Sequence, residues 1–168
     1  MIEVGILHED ERLELIQGEI VHMSPKGSQH AAYSTRLGRS LISLGDNIIL
    51  RFQDPIVLNN QSEPEPDIAA VFGRSDDYIS HHPTPADVVF LIEIADSSLL
   101  YDRRVKIPLY ASEGIPEYWI VNIPEQQIEV YLSPSGDLYE IEQIYRSGEQ
   151  IPLTGTQETL DVQIIFAQ

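Results

Sequence analysis

From Arg12 to Met23 the chain reads RLELIQGEIVHM, in which apolar and polar residues alternate with a period of roughly two about a Gln-Gly pair. That period sends successive side chains to opposite faces of a strand, and a tight Gly-containing turn joins such strands, so a hairpin opens the domain. After a turn at Pro25 to Gly27, Ser28 is placed to cap a helix, and Tyr33, Leu37, Leu41 and Leu44 recur at helical spacing until Gly45 stops them. IILRFQDPIVLN, DIAAVF and VVFLIEIAD follow, separated by polar or proline-rich stretches such as SDDYISHHPTP, and predict three strands. Ser97 or Ser98 caps a second helix in which Leu99, Arg103, Lys106 and Tyr110 mark successive turns to Gly114 and Pro116, with Pro108 placed to kink it. EYWIVNI predicts a buried strand, and QIEVYLS, LYEIEQIY and DVQIIF predict three more. The central order is helix, three strands, helix, strand, which is an α/β (α+β) arrangement.

A length of 168 residues suits one domain over 1–168 with a sizeable core, and neither an internal repeat nor a linker divides it. The absence of cysteine excludes disulfides, thiolate zinc and a cysteine nucleophile, so any metal must take oxygen or imidazole ligands. No apolar run is long enough to span a membrane and no secretory pattern opens the chain, which predicts a cytoplasmic protein. The formal net charge is -17. A field of that sign repels polyanions, so nucleic-acid binding would be weak and salt-sensitive unless a divalent cation and local arginines override it at short range.

Two carboxylates stand out against apolar neighbours: Asp67 at the mouth of the DIAAVF strand and Glu93 within VVFLIEIAD. A carboxylate at the edge of a core must be solvated, paired or bound to a cation. Two of them on adjacent strands suit magnesium or manganese, with waters completing the shell. Lys106, one of two lysines, follows on the next helix and can point back toward them. Plainer readings stand beside these. Asp67 closes a turn, Glu93 faces solvent or pairs with Arg103 or Arg104, and Asp102 and Lys106 form an i,i+4 surface pair. His81 and His82 sit beside Asp76 and Asp77 in a composition that suits a metal, while Tyr118 and Trp119 read as the edge and core of a strand.

Pro66-Asp67, IEIADSS from Ile92, YDRRVK ending at Lys106 and GIPEYWIVN from Gly114 resemble the Uma restriction-endonuclease family of the PD-(D/E)xK nuclease superfamily, from about Glu11 to about Tyr131. The resemblance implies a restriction-endonuclease-like core with an added N-terminal hairpin and C-terminal strands, and a Mg2+ or Mn2+ site. Asp67 would be the motif aspartate and Glu93 the second acid, both holding the metal. The superfamily lysine, due two residues after Glu93, falls on Ala95, and the family pattern moves it to Lys106. GEIVHMSP near Glu19 and the histidine at His30 also resemble the family, which makes both auxiliary groups of the cleft. The implied activity is phosphodiester hydrolysis in DNA by a homodimer, for which apolar residues of the C-terminal strands would serve. The alternative is a non-catalytic nucleic-acid or protein interaction module that keeps the fold. A basic groove from Arg36, Arg39 or Arg51 toward Lys106 would favour the nuclease, and an acidic cleft the alternative.

Overall fold

Alternation about Gln17-Gly18 does produce a hairpin: β1 (Leu13–Ile16) pairs antiparallel with β2 (Glu19–His22). Gln17 and Gly18 both take positive φ (51° and 83°), the combination that matches the twist of a two-residue hairpin loop. The structure, a computed structural model, describes residues 12–23, 25–45 and 47–167. Glu11, where the family resemblance begins, and Ser24 of GEIVHMSP lie outside the described residues.

The helix α1 (Ser28–Leu41) buries Tyr33, Leu37 and Leu41 on one stripe, and a 3-10 turn (Ile42–Leu44) adds Leu44 before Gly45 leaves the helix at φ 88°. Gly27, rather than Ser28, is the N-cap residue, and no side chain caps that end. The three predicted strands are present as β3 (Ile48–Arg51), β4 (Ile68–Phe72) and β5 (Val88–Ala95). β3 is shorter than IILRFQDPIVLN predicts. Gln53 turns to φ 57° and Pro55 has no N–H for a ladder, so the chain leaves the sheet after Arg51.

Between β5 and β6 (Glu117–Asn122) runs a helical crossover of three parts: α2 (Leu99–Tyr101), a π turn (Asp102–Lys106) and α3 (Ile107–Ser112). The expected disturbance by Pro108 is thus a local widening of the helix just before the proline, which stands in the first turn of α3 where its missing N–H is tolerated. β7 (Gln127–Ser135) and β8 (Leu138–Arg146) complete one mixed sheet of order β3-β4-β5-β6-β7-β8, with β5 and β6 parallel and all other neighbours antiparallel. β9 (Gln150–Pro152) and β10 (Thr159–Asp161) form a separate pair. DVQIIF, predicted as a strand, is instead the short helix α4 (Val162–Phe166), because Asp161 Oδ1 accepts the Gln163 N–H at 2.9 Å and caps it.

Strand alternation divides the core between the two faces of the sheet. Phe90, Ile92, Ile94, Trp119 and Val121 pack against α1 and α4, with Trp119 stacked on Phe90 at 5.2 Å. Leu91, Ala95, Tyr118 and Ile120 pack against α3 and against Ile16 of the hairpin. On the edge strand β8, Leu138, Ile141 and Ile144 are exposed, the apolar residues expected to serve an interface. Among the described residues no helix is long and apolar enough to cross a membrane.

Candidate active site

Leu91 and Ala95 of β5 face the crossover helix, so Glu93 between them points the same way. The antiparallel register pairs Ile68 with Ile92, which sets Asp67, one residue before β4, opposite Glu93. Glu14 shares the inward side of β1 with buried Ile16, and Lys106 comes down from the π turn between these carboxylates.

Lys106 is only 3 % exposed, and its ammonium donates to Glu14 Oε1 at 2.6 Å and to Glu93 Oε1 at 3.2 Å. The Tyr110 hydroxyl donates to the same Glu93 oxygen at 3.0 Å. Asp67 Oδ2 accepts the Ile94 N–H at 2.8 Å and a bond from His30 Nε2 at 2.9 Å, while the Lys26 ammonium sits on Oδ1. An ionised carboxylate can only accept, so Nε2 is the protonated ring nitrogen of His30. Apart from Tyr110, which stands behind Glu93, these groups wall a cavity of about 420 Å³ at the end of the sheet.

The acids respond differently to this setting. Burial raises the Glu93 pKa to about 8, with Lys106 opposing the shift and the Asp67, Asp102 and Glu14 charges adding to it. Burial likewise lifts Asp102 to about 6, against the hydrogen bond from Ser98. For Asp67 burial is outweighed by His30 and Lys26, whose bonds and charges hold the carboxyl below its usual range. Burial works against the Lys106 charge, but Glu93 and Glu14 more than compensate and its pKa rises. Lys106 therefore stays an ammonium: a donor and counter-charge, not a base.

Residues 2–164 match the sequence profile of Uma2, a family described as "Putative restriction endonuclease". The chain belongs to the Uma2 family. Its fold is similar to a solved structure described as a "putative nuclease belonging to DUF820" from Anabaena variabilis ATCC 29413, with a TM-score of 0.76 over 98% of this chain and 94% of that one at 15% identity. No curated protein matches this sequence.

In this Uma2 chain Asp67, Glu93, Lys106 and His30 come together at one cavity, and Glu19 does not. Glu19 is exposed on the turn end of β2, opposite Ile16, so GEIVHMSP reaches the cavity through Val21, His22, Met23 and Pro25 instead. Arg103 pairs with buried Glu129, not with Glu93, through Nε at 3.0 Å and Nη2 at 2.5 Å. Asp102 accepts from the Ser98 hydroxyl at 2.7 Å, and no ion pair joins it to Lys106. His81 Nε2 lies 2.5 Å from Arg74, and among the described residues no group of three or more His, Asp or Glu is arranged to hold a metal. Tyr118 and Trp119 are both fully buried, so Tyr118 belongs to the core and not to an edge.

Two site residues of this Uma2 protein were not singled out by sequence reasoning. Glu14 reads there as one more polar position of an alternating strand, and Lys26 as part of a turn. The usable signal for Lys26 was scarcity, since the chain has two lysines and both end on the acids of one cavity. The arginine groove that would favour the nuclease over the interaction module is absent from the wall: Arg36 donates to the Ile165 carbonyl at 2.8 Å, Arg51 pairs with Asp54, and neither they nor Arg39 line the cavity. Its charged lining is Glu14, Glu65, Asp67, Glu93, Asp96 and Asp102 against Lys26 and Lys106, with His22 and His30. The donor set fits a hard divalent cation, because among the described residues nothing hydrogen-bonds Glu93 Oε2, and Glu93 faces Asp67 across the ladder. One or two carboxylates plus waters satisfy magnesium.

Proposed function

We propose that this protein is a Mg2+- or Mn2+-dependent nuclease that hydrolyses phosphodiester bonds in DNA. The observation that carries the reading is the convergence of Asp67, Glu93 and Lys106 on one cavity in a member of a restriction-endonuclease family. Asp67 and Glu93 would hold the cation. When bound, the ion supplies Lewis-acid polarisation of the phosphoryl oxygen and lowers the pKa of a coordinated water.

The remaining work falls to side chains. Ile94 N–H and His30 fix the Asp67 carboxylate from one side, so its orientation does not have to be recovered during reaction. Lys106, kept charged by two carboxylates, places a positive group beside Glu93, where it orients the attacking water and offsets charge building on the phosphate. Tyr110 holds Glu93 from behind. An acidic wall with two lysines leaves DNA binding weak and dependent on the cation.

The acidic lining also favours the second reading, an interaction module that retains the fold. Supercoiled plasmid incubated with Mn2+ separates the two. Nicking or linearisation by the wild type that Asp67→Ala removes, in preparations free of contaminating nuclease, supports the enzyme. Cleavage unchanged by Asp67→Ala would sink it.

A further inference from the structure

The two lysines of the cavity are held in unlike ways. Lys106 is locked by two carboxylates and is 3 % exposed, whereas Lys26 lies in the 25–27 stretch ahead of α1, its side chain is 18% exposed, and among the described residues its polar contact is Asp67 Oδ1. Asp67 itself is nearly saturated. Oδ2 already accepts from both His30 and the Ile94 N–H, which uses the two lone pairs of that oxygen. A cation that reaches Asp67 must therefore come to Oδ1. That position belongs to Lys26, and an ammonium and a divalent ion cannot share one oxygen at contact distance without strong repulsion. Glu93 poses no such conflict, since Lys106 and Tyr110 both use Oε1 and leave Oε2 open.

We infer that Lys26 is the resident counter-charge of Asp67, occupying Oδ1 in the metal-free protein and displaced from it when a divalent cation binds. Lys106 keeps its partners throughout. The inference rests on the Asp67 and Glu93 cation site proposed above. It makes the apparent metal affinity the difference of two pairings, and it leaves a free ammonium at the cavity wall only once the metal is in place, where an anionic substrate is its next partner.

Magnesium alone tests this, without substrate. With two lysines in the chain, protein labelled with 13C at lysine Cε gives one signal from each. Titration with Mg2+ is expected to move the Lys26 signal and to move that of Lys106 less. By calorimetry Lys26→Met is expected to bind Mg2+ at least about tenfold more tightly than the wild type, from loss of the competing charge. Lys26→Arg, which keeps the charge, is expected to stay close to wild type. Equal affinity in Lys26→Met, or a Lys26 signal unmoved at saturation, would overturn the inference while leaving the metal site intact. Binding to neither wild type nor Lys26→Met, or binding that survives Asp67→Ala, would overturn the metal site and the inference together.

Discussion

Replacing Glu93 by glutamine should stabilise the metal-free protein, and by an amount that grows with pH. Glu93 Oε1 accepts from Lys106 and Tyr110, and an amide oxygen of the same shape accepts both bonds while carrying no charge. In the folded protein the Glu93 pKa stands at about 8, against 4.5 for the ordinary value that applies once the chain unfolds. A folded pKa above the unfolded one gives a contribution that is complete below the unfolded value and is lost as pH rises through the folded one. The loss runs through the window from 4.5 to about 8. At about 1.4 kcal/mol per pH unit, the wild type forfeits roughly 3 kcal/mol between pH 4 and pH 7, and on the order of 5 by pH 9. The amide of Glu93→Gln has nothing to titrate, so urea unfolding in EDTA should give a gap between variant and wild type that is small at pH 4, about 3 kcal/mol at pH 7 and larger at pH 9. Lys106 acts in the other direction, because its charge favours an ionised Glu93. A variant less stable than wild type at pH 7 would mean that this ion pair outweighs burial, which is incompatible with a raised Glu93 pKa.

The same proton should appear when metal binds. Because burial raises the Glu93 pKa, Mn2+ binding near neutral pH should release protons, read as the slope of calorimetric enthalpy against buffer ionisation enthalpy, and a slope unchanged in Glu93→Gln would show that the protons do not come from Glu93. Arg103→Ala should cost about 2 kcal/mol in urea unfolding, because Glu129 is fully buried and keeps only the neutral donors Asn122, Gln127 and Tyr131; an unchanged midpoint would mean that these suffice. Trp119→Ala should cost about 3–5 kcal/mol through loss of its stack on Phe90 and the cavity left behind, and a cost under about 1 would place Trp119 outside the core.

Much of the fold could be read from periodicity where a segment's burial is settled by its own neighbours. The hairpin about Gln17-Gly18 and the Tyr33, Leu37, Leu41 stripe of α1 are of that kind. Asp67 and Glu93 were legible as charges set in apolar strands, and the register then placed them opposite one another. Glu14 was not, because nothing local marks it. Its partners are the Glu65 N–H and the Lys106 ammonium, 51 and 92 residues away along the chain. DVQIIF shows the opposite limit: a short apolar run fits either period, and one capping bond from Asp161 decides for helix. Pro108 announced a disturbed helix, but not that the chain would widen ahead of it and bring Lys106 onto both acids.

The bond between Glu14 and Lys106 also bears on when the site exists at all. Synthesis proceeds from the N-terminus, so Glu14 leaves the ribosome 92 residues ahead of the lysine that satisfies it. At ordinary elongation speeds of about 5–20 residues per second, that interval is roughly 5–18 seconds. Until then Glu14 has among the described residues only the Glu65 N–H, which bonds the same Oε1 at 2.8 Å, while Glu93, 13 residues ahead of Lys106, waits a far shorter time for its ammonium. A nascent chain therefore holds no assembled centre until the crossover has emerged and docked, and the full set of acids and ammonium comes together only after Lys106 has left the ribosome.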